Sequence, residues 1–185
     1  GHLSLIKETK KKCKKTLVTI FINPRQFNKI DDFRNYPRQL DKDLYLLNKL
    51  KVNFVFLPNK NEIYKNNNFK KITLSKKEKI LCAKFRNGHF EGVLDIMKRF
   101  INLIKPQYIF MGEKDFQQYY LVKKYLQKRN KSEILKCKTI RDKNFVPLST
   151  RNFLLSKKDI NVASKISKYL KKIKFQIINK KKIDY

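Results

Sequence analysis

Glycine, histidine and alanine are scarce in this chain. Of 185 residues only four are Gly (1, 88, 92 and 112), two are His (2 and 89) and two are Ala (83 and 163). No run of 18 or more apolar residues occurs, which excludes a transmembrane helix of ordinary length. The first residues lack the apolar stretch of a signal peptide, and Lys10 to Lys15 is mostly lysine. The three cysteines, Cys13, Cys82 and Cys137, have no metal-ligand spacing and no even count. They read as reduced thiols of a cytoplasmic protein.

Lys, Ile and Asn fill the space instead. The chain carries 46 basic against 15 acidic residues, a net charge of +31. Such a balance invites a nucleic-acid reading. Thirty-eight of the basic residues are Lys and eight are Arg, spread over the whole length and not gathered with aromatics into one stripe. The pattern fits the compositional drift of an AT-rich genome onto solvated faces, with no specific nucleic acid or membrane as partner. The surface should still attract anions such as ATP, and weak polyanion binding at low salt is expected.

One domain, or one domain with a small appendage, is the natural size. Leu3 to Lys15 reads as a helix. Leu17 to Ile22 and Val52 to Leu57 are continuous apolar, β-rich runs, as expected of strands covered on both faces. Leu40 to Leu50 has helical spacing between them. Asn59 to Asn68 reads as a polar loop and Phe69 to Leu74 as a short strand. Gly88 to Ile104 reads as a helix stopped by Pro106, Tyr108 to Met111 as a strand, Asp115 to Lys128 as a helix and Ile134 to Ile140 as a strand. Arg141 to Pro147 is a connector, Asp159 to Leu170 a helix in a separate piece, and Lys180 to Lys182 a solvated charge run. Alternating strands and helices predict an α/β fold on a parallel sheet, with ligands at the carboxyl ends of the strands.

Every glycine adjoins a polar cluster, and glycine suits a backbone that turns sharply or approaches a ligand. The Gly1-His2 pair at a helix start can hold a phosphate, although a cloning remnant would look the same. Asn23-Pro-Arg-Gln-Phe27 follows a strand and either orients a substrate or simply turns. Arg86-Asn-Gly-His-Phe90 suits an anion or caps a helix. Gly112-Glu-Lys-Asp115 follows a strand: Lys114 can neutralise phosphate, Asp115 can accept ribose hydroxyls, and Gln118 lies one turn on. Leu148-Ser-Thr-Arg-Asn152 offers hydroxyls and a guanidinium to outer phosphates, or a Ser/Thr cap.

The order and spacing of these clusters decide between the readings. The stretches GHLSLI, TIFINPRQF, YPRQLDKDL, LCAKFRNGHFEGV, IKPQYIFMGEKDFQQ and LSTRNFLLS run from residue 1 to about residue 156. Together they resemble the pantoate–β-alanine ligase family of the HxGH nucleotidylyltransferases. The resemblance implies a Rossmann-like parallel sheet with helices on both faces over 1–146, and the beginning of a lid domain over 147–185. It implies ATP-dependent joining of pantoate to β-alanine through a pantoyl adenylate, with Mg²⁺, in a cytoplasmic homodimer.

By position in the family's motifs, His2, Lys114 and Arg151 carry the phosphate chemistry. Gly1, His2, Gly112, Glu113, Lys114, Asp115, Ile140, Leu148, Ser149, Thr150 and Arg151 line the ATP site. Gln26 and Gln118 bind pantoate, with Gln26 also beside β-alanine. Asn23, Tyr36, Arg86 and His89 are secondary candidates, and Asp43 is a candidate Mg²⁺ ligand. Departures accompany the match. The family's first strand, its PTMG-like turn and the first histidine of HxGH do not precede Gly1, and much of its C-terminal domain does not follow Tyr185. An incomplete enzyme, with a central strand missing from its sheet, is therefore expected. RNGHF replaces RPGHF, STRN replaces SSRN, and Asn144-Phe145 stands where the family has Asp-Gly, which bears on that loop's geometry. The competing readings are a different HxGH-type adenylyltransferase, against which Gln26 and Gln118 argue, a basic RNA-binding protein, and a decaying gene product, against which the retained glycines argue.

Overall fold

A computed structural model describes residues 1–28, 30–65 and 72–179. The chain divides into two compact units, His2–Lys138 and the residues from Thr139 onward with Gly1. The division falls before the connector Arg141 to Pro147, not after it. That segment folds back on itself through the Arg141–Pro147 bridge and an amide bond from Leu148 to the Ile140 carbonyl (2.9 Å), and Ser164 Oγ donates to its Asn144 carbonyl (2.8 Å). It therefore belongs to the C-terminal unit.

In the larger unit, α1 (His2–Lys12) ends before the expected Lys15. Its last turn holds Lys10, Lys11 and Lys12, which suit the negative end of the helix dipole, while further like charges do not favour continuation. β1 (Leu17–Thr19) pairs in parallel with β2 (Phe54–Phe56), in the register Leu17 to Phe54. Short α2 (Ile30–Arg34) and longer α3 (Leu40–Lys49) lie between them in sequence. α4 (Lys60–Tyr64) follows β2, and α5 (Cys82–Phe85) precedes α6 (His89–Ile104). β3 (Tyr108–Gly112) pairs in parallel with β4 (Glu133–Cys137), in the register Tyr108 to Glu133, with α7 (Phe116–Leu126) between them in sequence.

The fold is thus α/β and its strands pair in parallel, as the alternation predicts. Among the described residues the four strands form two separate pairs. β1 and β2 are shorter than their apolar runs and are not covered on both faces, since Leu17 and Phe54 stay exposed. β4 stops at Cys137, so Ile140 is not in a strand. Lys60–Tyr64 is a helix where the polar composition predicts a loop. Ile72 to Leu74 do not form a strand, and the rest of that expectation, with Lys180 to Lys182, lies outside the described residues. No described helix is long and apolar enough to cross a membrane.

The core gathers on α6. Phe90, Val93, Leu94 and Ile101 repeat at helical spacing and pack with Leu121, Val122 and Leu126 of α7 and with Met111 and Ile134 of the second strand pair. Leu94 and Val122 are completely buried, each contributing about 1.5–3 kcal/mol. Ile96 faces a second cluster with Ile63 and Tyr64, against which Phe21, Phe56 and Phe100 pack. α6 ends in a left-handed residue, Lys105 (φ 49°), before Pro106; α3 is followed by another, Lys51 (φ 50°). Glycine ordinarily holds such positions.

In the C-terminal unit a 3-10 turn (Thr150–Leu154) precedes α8 (Lys157–Ile178), which runs well beyond the expected Leu170. Ser156 and Asp159 form a capping box at its start.

Candidate active site

The turn Asn23 to Gln26 is a 3-10 turn held by α6. Asn23 is 1% exposed, and its amide is almost fully used. Nδ2 donates to the Gly92 carbonyl (3.0 Å), while Oδ1 accepts from the Arg25 amide (3.1 Å) and from the Tyr64 hydroxyl (2.8 Å). His89, also buried, bonds through Nδ1 to the Gln26 carbonyl at 2.6 Å. A carbonyl only accepts, so Nδ1 carries the proton. Gly92 lies one helical turn after His89 on the same face. A Cβ there would sit 2.4 Å from the Arg25 carbonyl oxygen and 2.8 Å from its carbon, so only glycine allows this approach. Gly88 begins the same helix at φ 75°, a left-handed backbone.

The RNGHF cluster therefore serves here to dock the Asn23 turn, and Asn23 and His89 act as its anchors. The Gln26 side chain is half-buried and makes no hydrogen bond among the described residues. Phe27 beside it packs edge-on against Phe33 (5.3 Å) and Tyr36 (5.6 Å), which places Tyr36 next to this turn. Arg86 is half-buried, and its carbonyl accepts from the His89 amide (3.2 Å) at the start of α6.

A second cluster forms at the carboxyl end of β3. Among the described residues a Cβ on Gly112 would meet Leu5 Cδ1 alone, at an ordinary 3.8 Å, and its φ of −74° suits any residue. The fold itself therefore does not require glycine at 112. The same contact brings the first turn of α1 to this strand end, with exposed His2 as the helix's first residue. The first turn of that helix carries no acidic residue of its own.

Glu113 to Asp115 form a 3-10 turn into α7. Lys114 Nζ meets Asp115 Oδ1 at 2.8 Å, both partly exposed. Glu113 meets Lys136 Nζ at 2.8 Å and raises its pKa. The two glutamines of this stretch separate. Gln117 donates to the Ile80 carbonyl (2.8 Å) and so ties down the segment before α5, whereas Gln118 makes no hydrogen bond among the described residues.

In the C-terminal unit the loop before Ser149 is a closed turn. Asp142 Oδ1 accepts from the Asn144 (2.8 Å) and Val146 (3.0 Å) amides, and Phe145 sits at φ 66°. Phe145 thus takes the left-handed backbone that glycine favours, and Arg141 donates to its carbonyl (2.8 Å). The Ile140 carbonyl is engaged by the Leu148 amide. Gly1 packs beside Leu148: a Cβ on it would lie 3.5 Å from the Leu148 oxygen. Ser149 Oγ accepts from the Arg151 amide at 3.3 Å and caps the turn that carries Thr150 and Arg151.

Asp43 is exposed in the first turn of α3. Among the described residues no three His, Cys, Asp or Glu gather as a metal cage. The three cysteines are free, and burial raises the Cys137 thiol pKa.

Tyr64, Asp95 and Arg99 escape the sequence reading although they support the Gln26 turn. The signal for α4 is present as Asn59-x-x-Glu62, a reciprocal capping box with bonds of 2.9 and 2.7 Å. The signal for the others is charge inside an apolar helix face, Asp95 and Arg99 at i and i+4. Glu78 is likewise unread. It is nearly buried and accepts from Lys124 Nζ (2.6 Å), Tyr125 Oη (2.6 Å) and Ser75 Oγ (2.8 Å). Burial raises its pKa, but these donors outweigh it and hold the carboxyl at about 2.

The family model described as pantoate-beta-alanine ligase matches residues 1–184. The pantothenate synthetase of Francisella philomiragia is 37% identical over 177 residues, covering 95% of this chain and 68% of that protein. The pantothenate synthetase of Pseudothermotoga lettingae is 35% identical over 172 residues, covering 92% of this chain and 61% of that protein. The crystal structure of the Francisella tularensis pantoate–β-alanine ligase, complexed with beta-gamma ATP and β-alanine, is similar at a TM-score of 0.85 and 38% identity. It covers 92% of this chain and 66% of that one. The pantothenate synthetase of Thermus thermophilus reaches a TM-score of 0.90 at 27% identity, covering 98% of this chain and 66% of that one. The chain thus spans roughly two thirds of the length of the proteins it matches. It belongs to the pantoate–β-alanine ligase family.

Proposed function

We propose that this protein condenses pantoate with β-alanine at the expense of ATP. A pantoate carboxylate oxygen attacks the α-phosphorus and the bond to pyrophosphate breaks, leaving pantoyl adenylate. The β-alanine amine then attacks the acyl carbon, the bond to the AMP oxygen breaks, and AMP departs. One observation carries the reading for this chain. The Gln26 turn is bonded at Asn23, Arg25 and the Gln26 backbone, yet the Gln26 side-chain amide makes no hydrogen bond among the described residues. Such an arrangement presents a preorganised donor and acceptor to a polar substrate.

Gln26 and Gln118 bind the hydroxyls and carboxylate of pantoate, with Gln26 also beside β-alanine. Gly112 gives nucleotide close access to the strand end, and Asp115 accepts from the ribose. Ile140 lies beside adenine, and Gly1, Glu113, Leu148, Ser149 and Thr150 complete the nucleotide site. His2, Lys114 and Arg151 face the phosphates, where they offset the repulsion between two anions and the charge growing on pyrophosphate. Tyr36 and Arg86 stand at its margin. Mg²⁺ enters as the counter-ion of ATP, with Asp43 an exposed carboxylate that can face it. A cytoplasmic homodimer, a Rossmann-like nucleotide domain and a C-terminal lid complete the proposal. In a coupled assay, pyrophosphate should appear only when ATP and pantoate are both present, and pyrophosphate release indifferent to pantoate would refute it.

A further inference from the structure

The strongest unexplained group lies outside the family motifs. Tyr64, at the end of α4, is 8% exposed and touches the substrate turn twice. Its hydroxyl donates to Asn23 Oδ1 at 2.8 Å. Its ring lies under the Arg25 guanidinium, 3.8 Å from carbon to ring centroid. Asn23 and Arg25 flank Pro24 and lead directly into Gln26.

A charged network holds this ring from behind. The Arg99 guanidinium, 5% exposed, sits 4.7 Å from the ring centroid and donates to the Ile63 carbonyl at 3.0 Å. Asp95 joins both arginines, through Oδ2 to Arg25 (2.9 Å) and Oδ1 to Arg99 (3.0 Å). Cation–π contact and a shared carboxylate fix Arg25 without blocking Gln26. Burial, then the Asp95 charge, raises the Tyr64 pKa against the two arginines and the Asn23 bond, so the hydroxyl stays a donor at neutral pH.

Asn23 has no slack. Three bonds hold its amide, and the one from Tyr64 comes from outside both the turn and α6. Without it, Oδ1 keeps only the Arg25 amide, and the side chain can rotate toward the space the hydroxyl leaves. Rotation would carry the turn, and Gln26 with it. A shift of this kind changes the position of a binding group without changing its chemistry.

We propose that Tyr64 is a positioning residue for Gln26, holding Asn23 by its hydroxyl and Arg25 by its ring so that the Gln26 amide meets the hydroxy-acid substrate. The inference rests on the proposed pantoate reading. The test is Tyr64→Phe in the protein at full length, which removes the hydroxyl and keeps the ring. KM for pantoate should rise roughly tenfold, the scale of one buried hydrogen bond. KM for ATP should stay within about twofold and the melting temperature within about 5 °C. In a Gln26→Ala background the same change should add less than about twofold to the pantoate KM, because the effect passes through Gln26.

The outcomes separate. Wild-type protein that ignores pantoate refutes the substrate reading. Pantoate-dependent wild type with unchanged constants in Tyr64→Phe overturns this inference alone. Full additivity with Gln26→Ala, an equal rise in both KM values, or loss of cooperative folding makes Tyr64 a purely structural residue and overturns it too.

Discussion

Replacing Gly92 by alanine sets two effects of opposite sign against each other. Gly92 lies inside α6, where alanine favours the helix by about 1 kcal/mol. The new Cβ would stand 2.4 Å from the Arg25 carbonyl oxygen, 2.8 Å from its carbon and 3.1 Å from the Gln26 nitrogen. These are backbone atoms, so the turn must retreat as a body, by roughly 1 Å to regain ordinary contact. Overpacking of this kind costs about 1–3 kcal/mol. Retreat also stretches the Asn23–Gly92 and His89–Gln26 bonds, each worth about 0.5–1.5 kcal/mol. The net expectation is a loss of about 1–5 kcal/mol, or a fall of roughly 2–20 °C in melting temperature. Calorimetry of wild type and Gly92→Ala in parallel reads it directly. Below the transition, kcat/KM for pantoate should fall more than about tenfold, since Gln26 moves with the turn. A variant that melts higher, as helix propensity alone would have it, would refute the close-packed turn.

Lys114→Ala should lower kcat by roughly 10²–10³-fold, the range for one preorganised charge-stabilising donor; a change within a few-fold in stopped-flow assays would remove Lys114 from the phosphate site. Glu78 has its folded pKa depressed to about 2 from 4.5, so its contribution is present above about 4.5 and is lost as pH falls toward 2. Glu78→Gln should destabilise by about 1–3 kcal/mol at neutral pH and flatten the stability loss between those values, as followed by urea melts at several pH values.

Periodicity made most of the fold legible. The α6 stripe of Phe90, Val93, Leu94 and Ile101 is written in the sequence at helical spacing, and four of the five expected strands pair in parallel, the exception being Phe69 to Leu74, whose described residues Ile72 to Leu74 form none. Polarity hid α4, because a helix that buries only Ile63 and Tyr64 has too few apolar positions to show a period. Glycine, the usual marker of helix ends, is missing where it would have helped. Lys51 and Lys105 occupy left-handed positions after α3 and at the end of α6, and Phe145 does so in the Asp142 turn.

At the site, the sequence identified the clusters but not their division of labour. Gln117 and Gln118 are adjacent and identical in type, yet one holds the segment before α5 and the other does not. The bond from His89 to the Gln26 carbonyl spans 63 positions and has no local signature. Gly92 and Gly112 look alike in sequence, and only the fold shows that one is sterically required and the other is not.

The central claim is the acyl-adenylate route, and isotope transfer tests it most directly. Full-length protein would be given pantoate labelled with ¹⁸O in its carboxylate, with ATP and β-alanine, and the AMP analysed by mass spectrometry. Attack of that carboxylate on the α-phosphorus, followed by cleavage at the acyl carbon, leaves one labelled oxygen on AMP for each turnover. AMP carrying one ¹⁸O per product formed is the predicted result. Unlabelled AMP formed together with the amide product would contradict the account.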